Sequence, residues 1–157
     1  MQTFLPYSQY KLAAQALDNK RLNKQILECY QILNVLSGKS IGWRNHPAVL
    51  MWKESEYHLY TYVQVMIKEA RLRGIKTANN EANISALFQE MQNDWGNKIP
   101  VWYIDEDKKM RVVTTHKANL FKKDPIHYAE FESAVSSPYN VPCCEGCKYY
   151  WVTHKPS

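Results

Sequence analysis

At 157 residues, with 45% apolar and 22% charged side chains, the chain can bury a core of its own without staples, and its composition excludes a disordered or fibrous protein. No apolar run approaches the roughly 20 residues that span a bilayer, and residues 1–10 lack the basic-then-apolar layout of a signal peptide, so a cytoplasmic protein with no membrane partner is expected. The net charge of +5 inclines the chain mildly toward a polyanionic partner, and 11 Tyr with 5 Trp supply stacking surface or an aromatic core.

Residues 1–7 read as extended, with Pro6 stopping any helix. Ser8 is placed to cap a short helix through Leu17, and Asp18 to cap a longer one that closes near Ser37 and Gly38. On that second helix Leu22, Ile26, Cys29, Leu33 and Leu36 form one stripe, with Tyr30 at its edge. Arg21, Lys24, Gln25 and Glu28 share an arc of about 100° on the other side. By itself that arc reads first as a solvated face of ion pairs, and second as two cations, an amide and a carboxylate assembled for chemistry.

Residues 39–47 form a loop in which Trp43, Arg44, Asn45 and His46 set an aromatic ring, a fork of donors, an amide and a titratable ring side by side. Pro47 suits a helix start, and helical periodicity predicts one helix over 47–73, closed by Gly74. A further helix is predicted over 81–95, ended by Gly96. Residues 101–104 and 110–114 then predict a small β-hairpin around Asp-Glu-Asp-Lys-Lys. A threonine-capped helix follows, with His116, Asn119 and Lys123 on one face, stopped before Pro125. Between Lys108 and Lys123 there are six Lys or Arg and no acid, enough to track a phosphate backbone or to make an ordinary solvated surface. With no repeat or long linker, residues 1–157 are expected to form a single compact domain, mainly α, and a monomer by default.

Residues 131–157 make a tail rich in cysteine and aromatic side chains. Cys144 and Cys147 have the C-x2-C spacing of half a zinc site, for which His154 is a candidate third ligand and Cys143 or a distant histidine the fourth. Without a second pair, no metal or cofactor is expected. The four cysteines of a cytosolic chain then read as thiols.

The opening Met-Gln-Thr-Phe-Leu-Pro-Tyr, the pairs Leu17-Asp18, Arg21-Leu22 and Lys24-Gln25, and the run Gly42-Trp43-Arg44-Asn45-His46-Pro47 resemble the pyrimidine dimer DNA glycosylase family. His116, Asn119-Leu120, Lys123-Asp124-Pro125 and Tyr128 continue the resemblance in the same order to about residue 130, with an echo in Tyr149-Tyr150-Trp151. It is to the bacterial and viral branch, of the endonuclease V type.

That resemblance implies an all-α DNA repair enzyme that bends double-stranded DNA, expels a base and attacks the sugar C1′ of a damaged pyrimidine with an amine. The imine so formed undergoes β-elimination, an AP-lyase step needing no cofactor. An α-amine is intrinsically less basic than a lysine, about 8 against about 10.4, and so is more often neutral and nucleophilic. Here Gln2 follows the initiator, and its bulk disfavours removal of Met1. The amine is then that of Met1, or of a lysine such as Lys24. The relative carries its catalytic glutamate directly after an arginine, whereas Arg21 is followed by Leu22. Glu28 shares a face with Arg21 and Gln25 and is the favoured acid, with Asp18 in reserve. Lys24, Trp43, Arg44, Asn45, His46, His116, Asn119, Lys122 and Lys123 are the expected DNA contacts. The alternatives are the same fold acting on a different modified base, a DNA-binding module without catalysis, and a small helical interaction protein.

Overall fold

The computed structural model describes residues 1–153. Among them every regular element is helical: α1 (Tyr10–Ala16), α2 (Asn19–Leu36), α3 (Pro47–Leu50), α4 (Glu56–Leu72), α5 (Ala78–Met91), α6 (Val101–Ile104) and α7 (Glu106–Lys123), followed by a 3-10 helix at Ala129–Ser136. The mainly α expectation holds. No helix among the described residues is long and apolar enough to cross a membrane.

Helix α2 forms as its local sequence dictates. The Asp18 carboxylate accepts from the Arg21 N–H, and Leu22, Ile26, Cys29, Ile32 and Leu33 are buried along one stripe. Ser37 closes the helix and Gly38 takes the left-handed conformation that follows it. That stripe packs on α4, whose Leu59, Tyr62, Val63, Met66, Ile67 and Ala70 are buried in return. Helix α1 also lies on α4, α5 lies on α2, and α7 carries α6 and the 3-10 helix.

Through the middle runs an extended segment, residues 2–5, with all four side chains buried. Its backbone forms no regular ladder and is held by side chains instead. Phe4 N–H donates to Gln25 Oε1 of α2 at 2.8 Å, Leu5 N–H to His116 Nδ1 of α7 at 2.8 Å, and the Tyr62 hydroxyl of α4 donates to the Phe4 carbonyl at 2.6 Å. Buried backbone polar groups left without partners would each cost about 1–3 kcal/mol, so these three helices fix the path of the N-terminus.

Four expectations are corrected. The hairpin over 101–114 is helical: Pro100 leads into α6, and the Asp105 carboxylate accepts from Lys108 N–H to cap α7. Acids in its first turn, Lys122 and Lys123 in its last, and an Asp107–Arg111 ion pair at 3.1 Å all favour helix over the β preference of Val112 to Thr115. The helix over 47–73 is broken between α3 and α4, where Glu54 takes a positive φ and its carbonyl lies against Gly96. The Glu56 carboxylate accepts from Gly96 N–H at 2.9 Å, locking this crossing in place. Helix α1 starts at Tyr10 with no side-chain cap, so Ser8 does not cap it. Helix α5 starts earlier than predicted and ends at Met91, leaving Trp95 buried beyond it with its indole N–H on Ser37 Oγ at 2.8 Å.

Candidate active site

The path of residues 2–5 delivers the chain's α-amine to α2. The Met1 nitrogen lies 4.0 Å from Glu28 Oε1, and Lys24 Nζ lies 4.0 Å from the same oxygen. The other oxygen, Oε2, accepts from the Gln2 backbone N–H at 3.4 Å and from Gln25 Nε2 at 3.3 Å. The orientation of the Gln25 amide follows from its partners. Its oxygen accepts from Phe4 N–H at 2.8 Å, which turns its NH2 toward Glu28. Glu28 is buried, and these donors leave neither of its oxygens without a polar neighbour.

Gln2 has a buried side chain. Its Oε1 accepts from Thr3 N–H at 2.9 Å, while its Nε2 finds no partner among the described residues. Gln2 is among the residues that line the cleft beside Met1.

Asp18 is engaged elsewhere. Its carboxylate accepts from Arg21 Nη1 at 3.1 Å and from the Tyr128 hydroxyl, and Tyr128 in turn accepts from Asp18 N–H at 2.9 Å. Burial pushes its acidity toward the neutral form, but the Tyr128 and Arg21 hydrogen bonds outweigh it and hold the carboxyl below its usual range. The pairing also sets the Arg21 guanidinium, its carbon 5.9 Å from the Tyr128 ring centre.

Two clefts meet at Met1 and Glu28. One, of about 360 Å³, is walled by Lys20, Arg21, Lys24, Lys123, Lys148 and Tyr149. Cations converge closely enough there that Lys123 loses basicity, first through desolvation and then through Arg21, Lys148 and Lys24, against the pull of Glu28. A hollow of about 470 Å³ continues it past Lys122, Lys123 and Lys148. The other cleft, of about 390 Å³, is lined by Gln31, Asn34, Ser40 and Trp43. Trp43 is 66% exposed and holds φ +65, a conformation bulky residues rarely adopt. Arg44 and Asn45 are exposed beside it on the same loop.

Three expected DNA contacts have other employment. His116 is wholly buried with its Nδ1 on Leu5 N–H, and burial pulls its imidazole down to about 3, so it is neutral and internal. Asn119 is largely buried and donates to the Thr115 and Lys148 carbonyls at 2.8 and 2.7 Å. His46 caps α3 by accepting Ala48 N–H at 3.0 Å, and burial followed by the nearby Met1 amine lowers its basicity. His116 is wholly internal, whereas Asn119 also lines the hollow beside Lys122 and Lys123. Lys20, Lys148, Gln31 and Asn34 line the clefts although nothing in their local sequence sets them apart.

In the tail, Cys144 and Cys147 are joined in a disulfide, which corrects the expectation of free thiols there, whereas Cys29 and Cys143 are free. His154 lies outside the described residues. Tyr149 packs against the core with its ring centre 6.2 Å from Phe4 and 5.6 Å from His116, and Trp151 stands edge-on to His46.

A sequence model of the family described as pyrimidine dimer DNA glycosylase matches residues 1–83, the span that supplies Met1, Gln2, Arg21, Gln25, Glu28 and Trp43. Neither a curated protein nor a solved structure matches the chain.

Proposed function

Because the chain belongs to the pyrimidine dimer DNA glycosylase family, we propose that it removes a damaged pyrimidine from double-stranded DNA, a UV-type dimer above all, and then cuts the strand as an AP lyase. The observation that carries this reading is the α-amine of Met1 beside the Glu28 carboxylate where two clefts meet.

In the proposed reaction the Met1 amine, in its neutral form, attacks C1′ of the damaged nucleotide. The glycosidic bond breaks, its electron pair leaves with the base, and the base takes up a proton. Opening of the sugar ring gives a protonated imine between Met1 and C1′. Loss of a C2′ proton then expels the 3′ phosphate by β-elimination, and water releases the amine. Glu28 stabilises positive charge building on the sugar and passes protons between amine and ring. Gln25 and the Gln2 backbone hold its second oxygen, so the first faces the amine. Lys20, Lys24, Lys123 and Lys148 take phosphates along the basic cleft. Trp43 supplies an exposed ring to stack where the duplex is opened, a distortion costing a few kcal/mol that is smaller at a damaged base.

The test is borohydride trapping on a duplex carrying one cyclobutane thymine dimer, beside undamaged and abasic duplexes. An adduct on the dimer duplex that maps to Met1 is the expected result. Trapping on the abasic duplex alone would leave a lyase with a different base as substrate, and no adduct on either would overturn the amine chemistry.

A further inference from the structure

The tail cysteines are not among the residues lining the two clefts at Met1 and Glu28, and the proposed reaction does not use them. We propose that, once the Cys144–Cys147 disulfide is reduced, Cys143, Cys144 and Cys147 bind one thiophilic divalent cation, zinc, through three thiolates. Their sulfurs all lie within 4.8 Å of one another. A tetrahedral site with Zn–S bonds of about 2.3 Å wants sulfurs about 3.8 Å apart, so small side-chain rotations complete the triad.

The backbone already holds the turn such a site needs. Cys147 N–H donates to the Cys144 carbonyl at 3.1 Å, and Gly146 takes φ +84 within that turn, a conformation that favours glycine. Cys143 is brought back across the turn by its N–H on the Tyr149 carbonyl at 3.4 Å. All three cysteines are partly exposed, so a cation can reach them and a water can take the fourth position.

Charge favours the site as well. Three thiolates around a dication carry one net negative charge, and Cys147 shares its hollow with Lys122, Lys123 and Lys148. Nearby ammonium groups stabilise thiolates and offset that charge. The fourth cysteine, Cys29, is wholly buried in the core and its thiol is pushed well up by burial, so it takes no part. The balance of the loading reaction is simple. A thiol reductant donates two electrons and two protons to the disulfide and is itself oxidised to a disulfide; the cation then displaces the three thiol protons. A cation held here would pin the segment that places Lys148 and Tyr149 in the basic cleft.

The test uses the whole chain, reduced with a phosphine under argon and titrated with cobalt(II), then with zinc. The expected result is one equivalent of cobalt with sulfur-to-metal charge-transfer absorption, displaced by zinc, and lost in Cys143→Ser and in Cys147→Ser. Zinc should also shield Cys143, Cys144 and Cys147 from alkylation, read by mass spectrometry. Cobalt bound without the charge-transfer band, or a band unchanged in both serine variants, would overturn the proposal. Since neither readout involves DNA, the result stands independently of the glycosylase reading.

Discussion

The Met1 nitrogen and Glu28 Oε1 are 4.0 Å apart, although the glutamate sits in the third turn of α2 and the amine belongs to no helix. The pair exists because residues 2–5 thread between α2, α4 and α7 before α1 begins.

Glu28→Gln keeps the shape and the donors' company but removes the charge. Single-turnover cutting of a dimer-containing duplex should fall by about 100-fold or more, the order expected when a positioned acid–base group is lost. Duplex binding, read by fluorescence anisotropy, should change by less than about threefold on the same scale of argument. Undiminished cutting would remove Glu28 from the chemistry.

Lys123 lines both the basic cleft and the hollow beside it, so Lys123→Gln should weaken binding on damaged and undamaged duplexes alike. If Lys123 neutralises one phosphate, the slope of log K against log salt should flatten by about 0.9. Lys122→Gln in addition should flatten it further, and an unchanged slope in the double variant would place the DNA elsewhere.

His116 makes the fold acid-sensitive. In the folded protein its imidazole titrates at about 3, while in the unfolded chain it takes a proton below about 6.5. The unfolded state therefore binds the extra proton, and stability is full above about 6.5 and lost as pH falls toward 3. His46 and Asp18 are shifted in the same direction. From pH 7 to pH 5, His116 should cost about 2 kcal/mol, roughly 5 °C in melting temperature. His116→Gln, which can still accept from Leu5 N–H, should melt lower at pH 7 but show a flatter dependence. Equal slopes in the two proteins would point to other groups.

Gly96→Ala should destabilise without touching the clefts. A Cβ at Gly96 would overlap the Glu54 carbonyl, and Glu54 already holds φ +66, so neither backbone yields easily. A loss of about 2–3 kcal/mol, as for overpacked interiors, should appear in urea denaturation with DNA affinity of the remaining folded protein unchanged.

Where information is local, the chain announces its structure. Asp18, the apolar stripe from Leu22 to Leu33 and Gly38 are enough to cap, orient and end α2, because caps and 3.6-residue periodicity act within a few turns. The shared face of Arg21, Lys24, Gln25 and Glu28 was legible for the same reason. That face favoured Glu28 over Asp18 as the acid but did not give the route by which the amine reaches it. Asp18 and Glu28 lie on the same helix, and only the path of residues 2–5, held by Gln25, Tyr62 and His116, brings Met1 to Glu28, while Tyr128, 110 residues on, occupies Asp18.

The misread stretches share that cause. Val112 to Thr115 favour strand by intrinsic preference, but capping by Asp105 and burial against the 3-10 helix make them helical. Residues 47–73 keep helical periodicity throughout, yet the chain bends at Glu54 because Gly96, far along the sequence, packs against it. His116 looked like a DNA contact beside its basic neighbours and is a core acceptor for a backbone N–H 111 residues away. Helical character, the cap of α2 and the grouping of charged side chains follow from neighbours in sequence. The pairing of amine with acid, the continuity of the basic cleft and the burial of His116 follow from packing, because each depends on a partner that only the folded chain brings within reach.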